Sequence, residues 1–264
     1  MLKLQNVWKT FNPGTVNEKV ALQGLNLTME EGDFVTVIGG NGAGKSTMLN
    51  AIAGVFPVDS GTITIGGVDV TGLAEFKRAQ YIGRVFQDPM MGTAATMQIE
   101  ENLALAARRG KGRTLRAGIT KADREAYQEQ LKILGLGLEN RMTAKVGLLS
   151  GGQRQALALL MATLQKPKLL LLDEHTAALD PKTAGKVLAA TERIVEKDHL
   201  TTLMITHNMR DAIAYGNRLI MMYDGQIVVD ISGEEKKKLT VEHLLDLFSR
   251  ASGSDQVSDK LVLS

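Results

Sequence analysis

Apolar and polar positions alternate from the start of the chain. Leu2, Leu4 and then Val7 mark a half-buried strand over residues 2–9. Phe11 follows, and Asn12-Pro13-Gly14 breaks the pattern with a turn. Val20–Met29 supplies further strand material before Glu30-Glu31-Gly32-Asp33 turns the chain into an apolar strand, Phe34 to Ile38. A helix is expected over Thr47–Ala53, and Gly61–Ile65 is a short β-branched strand ended by Gly66-Gly67. Ile82–Phe86 is another strand, delivering Gln87-Asp88-Pro89.

From about Met90 to Leu149 the pattern turns helical: Ile99, Leu103 and Ala106 keep helical spacing, and Lys121–Leu134 reads as a long polar-faced helix. Ser150 caps a helix whose Leu157, Leu160, Met161 and Leu164 form one stripe. Lys168–Leu172 is a continuous apolar run, as in a strand buried on both faces of a parallel sheet. Asp180-Pro181 pairs an N-cap with proline at the first helical position. Leu200–Thr206 is the next strand and delivers His207; Leu219–Tyr223 and Gln226–Ile231 flank Asp224-Gly225, a hairpin signal. Thr240 opens a last amphipathic helix with Val241, Leu244, Leu245 and Phe248 on one face, and a polar, loose tail is expected over 251–264. This order predicts an α/β core interrupted by a helical insertion.

Composition narrows the class. The 264 residues suffice for a sizeable core, and 44% hydrophobic with 23% charged residues is ordinary for a globular protein. Thirty-one basic against 29 acidic residues give a net charge of +2, so no global nucleic-acid signal exists. The absence of cysteine excludes thiol catalysis and cysteine–zinc sites. The first residues have no apolar signal-peptide core, and no run of about 18 apolar residues offers a membrane span.

The chemistry centres on Gly39-Gly40-Asn41-Gly42-Ala43-Gly44-Lys45-Ser46, the pattern G-x-x-x-x-G-K-S between a strand and a helix. Glycines let the backbone turn tightly and bring bare N–H groups close to a polyphosphate. The following helix adds unpaired N–H groups and the positive end of its dipole. Lys45 supplies a mobile charge for outer phosphates, and the Ser46 hydroxyl suits Mg²⁺. The segment therefore points to a nucleoside triphosphate. At the end of the 168–172 run, Asp173 is placed to hold Mg²⁺ through water and Glu174 to accept a proton from an attacking water.

Further segments narrow the family. Leu149-Ser150-Gly151-Gly152-Gln153 matches the signature sequence of ATP-binding cassette (ABC) proteins, Leu169–Glu174 their Walker B strand, Gln87 their Q-loop, His207 their switch histidine and Ala178-Leu179-Asp180 their D-loop. With the phosphate loop they stand in family order, and the resemblance covers residues 1–250. The chain is therefore similar to ABC ATPase subunits. The stretch Asp173–Ala184 resembles a subgroup of amino-acid importer ATPases, including tryptophan/tyrosine-type systems. Two departures stand out: His175 follows Glu174 where many relatives have proline or a small residue, and Ala178 replaces a frequent serine.

The resemblance implies a P-loop NTPase core of ABC type, with an N-terminal antiparallel β subdomain and an inserted α-helical subdomain. One domain would span 1–250, its core formed by 1–87 and 151–250 and its helical subdomain by 88–150. ATP with Mg²⁺ would be bound by Gly39, Asn41, Gly42, Ala43, Gly44, Lys45, Ser46 and Thr47, with Phe11 stacked on adenine and Trp8 as the rival aromatic. Ser46, Gln87 and Asp173 would serve the metal, and Glu174, His207 and Gln87 catalysis. Ser150, Gly151, Gly152, Gln153 and Asp180 would close on the nucleotide held by a second copy in a head-to-tail homodimer. Integral-membrane permease subunits and an extracytoplasmic solute-binding protein are the implied partners, nucleic acid is not, and the implied address is the cytoplasmic face of the membrane. An exporter-type or non-transport ABC cassette is the alternative. The basic run Arg108-Arg109-Gly110-Lys111-Gly112-Arg113, extending through Arg116 to Lys121, is either a solvated loop or a contact for anionic headgroups or an acidic permease surface.

Overall fold

The structure is a computed structural model that describes residues 1–111 and 118–252, the last two by their backbone. Within it the chain forms two compact units, one from Met1–Tyr81 with 201–252, the other from Ile82–Leu200.

The first unit opens with β1 (Leu2–Phe11), β2 (Lys19–Met29), β3 (Phe34–Ile38), α1 (Lys45–Ala53), β4 (Ser60–Ile65), β5 (Val68–Asp69) and α2 (Glu75–Arg78). The second contains β6 (Ile82–Val85), α3 (Ile99–Ala107), α4 (Lys121–Lys132), α5 (Gly151–Thr163), β7 (Leu169–Asp173) and α6 (Pro181–Asp198). The chain then completes the first with β8 (Thr201–Ile205), α7 (Met209–Ala214), β9 (Arg218–Tyr223), β10 (Gln226–Ser232), α8 (Gly233–Lys237) and α9 (Val241–Ser252). The expected tail thus begins inside α9, and the rest of it lies outside the described residues.

In the first unit, β2, β1, β4 and β5 form an antiparallel sheet in that order. Leu2 and Leu4 are buried in alternation with exposed Lys3 and Gln5, and an irregularity between Leu4 and Val7, with Asn6 at φ 50°, returns Val7 to the buried face. The same unit holds β3 between β8 and β9, both parallel to it, with β10 antiparallel on β9. All five residues of β3 and all five of β8 are buried, as befits strands covered on both faces. The β9–β10 turn has φ 45° at Asp224 and φ 74° at Gly225, the two left-handed positions of a type I′ hairpin. Under β9 and β10, α9 buries Leu244 and Phe248 against Ile38, Leu219 and Met221.

One buried cation ties the helix behind β3 in place. The Arg78 guanidinium is 2% exposed and donates to the carbonyls of Ala51 (2.7 Å) and Ile52 (2.9 Å) in the last turn of α1. It also donates to Leu73 (2.8 Å) and Thr71 (2.9 Å). Helix-terminal carbonyls lack intrahelical partners, so a fork of donors at that end satisfies them and complements the dipole.

In the second unit β6 pairs in parallel with β7, Val85 in register with Leu172. Four of the five residues of β7 are buried. The long helices of this unit start on caps the sequence supplies: Thr120 on α4, Ser150 on α5 and Asp180 on α6 each accept a backbone N–H through a side-chain oxygen. Helix α4 ends at Lys132, two residues before the expected limit, and residues 90–98 form turns rather than helix.

Candidate active site

The phosphate-loop residues lie at the carboxyl end of β3. The loop turns through Gly40–Ala43, closed by a 3.1 Å hydrogen bond from the Ala43 N–H to the Gly40 carbonyl, and α1 begins at Lys45. Lys45 is 7% exposed, and its Nζ donates to the carbonyls of Gly39 (2.6 Å) and Gly40 (3.1 Å). These bonds hold the ammonium over the loop. Glycine is obligatory at two points. Gly44 has φ 99°, and a Cβ there would lie 2.7 Å from the Ala21 carbonyl oxygen of β2. Gly39, at φ 153°, would place a Cβ 2.3 Å from the Met222 carbonyl oxygen of β9. The Gly225 N–H also donates to the Ala43 carbonyl at 3.0 Å, so the β9–β10 turn buttresses the loop from outside.

His207 leaves from the same end of the sheet. Val37 is in register with Ile205, so the parallel strands β3 and β8 deliver the loop and His207 at their carboxyl ends, where ligands gather in open α/β sheets. Beyond it, the Asn208 side chain accepts from the N–H groups of Arg210 (2.9 Å) and Asp211 (3.2 Å) and starts α7. Burial raises the Asp211 pKa, and nearby His207 opposes that shift.

Phe11, the expected adenine platform, ends β1 and meets Phe56 edge-to-face at 5.2 Å between ring centres. The Lys9 ammonium lies 5.6 Å from the Phe11 centroid and 5.5 Å from that of Phe56. Trp8 is 40% exposed, but its indole N–H is committed to Asn6 Oδ1 on its own strand at 3.0 Å.

The second unit carries the remaining residues. Gln87 and Glu174 leave the carboxyl ends of the paired strands β6 and β7. The Gln155 amide, 1% exposed, donates to the Phe86 carbonyl at 2.9 Å and pins the residue before Gln87 to α5. Asp173 Oδ2 accepts from Arg84 Nη2 at 3.2 Å, and the same guanidinium lies 4.6 Å from the Phe86 ring centre. Sequence reasoning missed Arg84, because nothing local in β6 distinguishes it from a solvent-facing strand residue.

Glu174 has φ 42°, a left-handed conformation uncommon for a residue with a Cβ. Its carbonyl accepts from the Ala177 N–H at 3.0 Å, which places His175 inside the turn. His175 is 2% exposed and its Nε2 lies 3.2 Å from Thr191 Oγ1. Burial pushes its pKa down to about 4, so the imidazole is neutral near pH 7.

Ser150 and Gln153 form a reciprocal capping box: Ser150 Oγ accepts from the Gln153 N–H (3.3 Å) and Gln153 Oε1 from the Ser150 N–H (3.2 Å). Gly151 is exposed while Gly152 is buried beneath Thr183. Asp180 Oδ1 accepts the Thr183 N–H at 3.1 Å, and hydrogen bonding to Thr183 lowers its pKa. Ser150, Gly152, Gln153, Thr183 and Lys186 line part of one cleft of about 300 Å³.

Parts of the basic run face inward. The Arg109 guanidinium donates to the Ala162 carbonyl at 3.1 Å, and burial lowers its pKa. Arg108 donates to the Gly118 carbonyl at 2.8 Å, and Lys111 is exposed. Arg113 and Arg116 lie outside the described residues.

The donor chemistry suits Mg²⁺: Ser46 and Asp173 offer hydroxyl and carboxylate oxygens, the ligand type that ion takes. Among the described residues no group of three or more His, Cys, Asp or Glu side chains is poised to hold a metal.

Comparison with known proteins follows the same lines. Residues 22–177 match the ABC transporter family. The chain is 45% identical over 251 residues to a tyrosine transport ATP-binding protein of Clostridioides difficile (strain R20291), covering 95% of this chain and 100% of the relative. It is 35% identical to the lipoprotein-releasing system ATP-binding protein LolD of Geobacter metallireducens, covering 87% of this chain and 99% of that one. Among solved structures it is similar to a dimeric ATP-binding cassette in a post-hydrolysis state with ADP and Pi, at a TM-score of 0.75 and 33% identity over 88% of this chain and 98% of that one.

Proposed function

We propose a role on the premise that this chain belongs to the ABC transporter family: it drives import of a small solute, an amino acid, through separate permease subunits. Family membership makes the chain an ATP-binding subunit whose ATP hydrolysis is coupled to transport. The amino-acid part of this reading is supported by the tyrosine-transport relative, matched over its whole length. The lipoprotein-releasing relative supports the second reading, an exporter-type cassette, less strongly because identity is lower.

In the proposed mechanism the loop residues 39–47 cradle the phosphates, with Lys45 as the fixed cation, and Phe11 covers adenine. Mg²⁺, when bound, would neutralise phosphate charge, and Ser46, Gln87 and Asp173 would serve it. Glu174 takes the proton of the attacking water, and His207 with Gln87 orients the γ-phosphate end. Two copies pair head to tail, each presenting Ser150, Gly151, Gly152, Gln153 and Asp180 to the nucleotide of the other. The dimeric solved relative supports the pairing of two copies. Among the described residues no helix is long and apolar enough to cross a membrane, which fits a peripheral subunit on the cytoplasmic face. A solute-binding protein outside the membrane completes the proposed importer.

The test is identification of the membrane partner that co-purifies with the tagged chain, followed by uptake of radiolabelled tyrosine and tryptophan into cells with and without this subunit. Loss of ATP-dependent uptake on deletion supports the importer reading. Unchanged uptake of both, with a lipoprotein-extracting permease as partner, overturns it.

A further inference from the structure

The turn that carries Glu174 is anchored by a side chain the proposed mechanism leaves unused. Glu174 leaves β7 at φ 42°, and such a conformation persists only where surrounding structure holds it. One restraint is the turn itself, closed from the Ala177 N–H to the Glu174 carbonyl at 3.0 Å. A second is His175, the next residue, which turns its ring into the protein and is 2% exposed.

The proton count fixes the direction of the hydrogen bond. Thr191, 1% exposed, carries one hydroxyl proton, and Oγ1 donates it to the Val187 carbonyl at 2.9 Å. Toward His175 the same oxygen can therefore only accept, so the imidazole donates from Nε2 across 3.2 Å. The chain Nε2–H to Oγ1–H to carbonyl ends on the backbone of α6, an 18-residue helix. Thr191 sits mid-helix among the buried residues Val187, Leu188, Ala190, Ile194 and Val195. The turn is thus tied to the middle of a helix rather than to a frayed end.

Position within the turn matters as well. His175 is its second residue, where proline would preset φ by its ring. A histidine has no such ring restraint, and here its buried side chain supplies a contact in its place. We propose that His175, through Thr191, is a positioning residue that holds the backbone of Glu174 in the orientation catalysis needs. This deepens the reading of Glu174 as the general base and rests on it.

The test is steady-state ATP hydrolysis by the purified full chain with Mg²⁺, kcat and KM measured separately, beside thermal unfolding. His175→Leu removes the donor, and Thr191→Val removes the acceptor with almost no change of shape. Each is expected to lower kcat about 10-fold or more with KM for ATP within about 2-fold, since small misplacement of a catalytic group is costly. The double variant is expected to be no slower than the worse single one. His175→Gln, whose amide nitrogen lies the same number of bonds from Cβ as Nε2, is expected to recover most of the rate. Wild-type kcat in Thr191→Val, with only a lowered Tm in His175→Leu, overturns the positioning role. Glu174→Gln, run alongside, separates the two failures. Wild-type hydrolysis in that variant overturns the base and the positioning role together, whereas a dead Glu174→Gln beside a normal Thr191→Val overturns the positioning role alone.

Discussion

A Cβ on Gly152 would stand 2.0 Å from the Thr183 methyl carbon, so the start of α5 is packed against the first turn of α6 with no room for a side chain. The Thr183 Cβ itself lies 3.5 Å away, an ordinary contact distance. Gly152→Ala should therefore destabilise by about 1–3 kcal/mol through overpacking. Gly152→Ala with Thr183→Ala should recover most of that loss, because the clashing methyl is gone. Chemical denaturation of the two single variants and the double one measures it, and additive losses would exclude the contact as the cause.

That packing moves the test of the shared site to the neighbouring residue. Gly151 is exposed, and a Cβ there meets only the end of Leu179 at 3.3 Å. Gly151→Glu should fold normally and bind ATP, yet fail to form an ATP-dependent dimer, since a carboxylate would face the partner's phosphates. Glu174→Gln keeps size and hydrogen bonding and should trap the dimer while slowing hydrolysis by about 10²–10⁴. Lys45→Ala should lose nucleotide binding. Sizing chromatography with ATP beside phosphate release reads all three, and a Gly151→Glu protein that still dimerises would dismiss the head-to-tail geometry.

Phe11 and Trp8 make opposite predictions for adenine. Phe11 is held edge-on by Phe56 with a flanking ammonium, whereas the Trp8 indole is bonded back to Asn6. Phe11→Ala should weaken ATP binding several-fold, about 1 kcal/mol, with folding intact. Trp8→Ala should leave affinity unchanged. Titration with a fluorescent ATP analogue decides between them, and the reverse pattern would transfer the role to Trp8.

Alkaline stability should report Lys236. It is 3% exposed and donates to the carbonyls of Tyr215 and Gly216, yet burial lowers its pKa to about 8. The unfolded chain, with an ordinary lysine pKa of about 10.4, holds the proton longer. Between those values the unfolded state binds more protons, so stability rises with pH across that window. Lys236→Met should lose this rise. Unfolding free energies at several pH values for both proteins provide the check; parallel curves would assign the slope to other groups.

Much of the fold was legible locally. The run Phe34–Ile38 and the leucines of β7 read as buried strands because parallel strands covered on both faces need continuous apolar residues. Thr240, Ser150 and Asp180 mark helix starts because a short polar oxygen satisfies N–H groups that the first turn leaves unpaired. Asp224-Gly225 fixed the hairpin because only such residues tolerate two left-handed positions in succession. The short elements were not legible: β5 has two residues, α2 four and α8 five, too few for any period to show.

The candidate site divides in the same way. Sequence by itself determined which chemistry is present, because a phosphate loop demands glycines, a lysine and a serine at set spacing, and those demands are written in consecutive residues. Only tertiary structure decided what holds that chemistry in place. Arg84 reaches Asp173 across 89 positions, Arg78 reaches back to the end of α1, Gly152 lies under Thr183, and His175 finds Thr191 on another element. Each of these is a contact between residues far apart in the chain, which no local pattern pairs, made when strands pair and helices pack. A motif states which groups react; packing, which joins distant positions by shape and hydrogen bonding, sets where they stand.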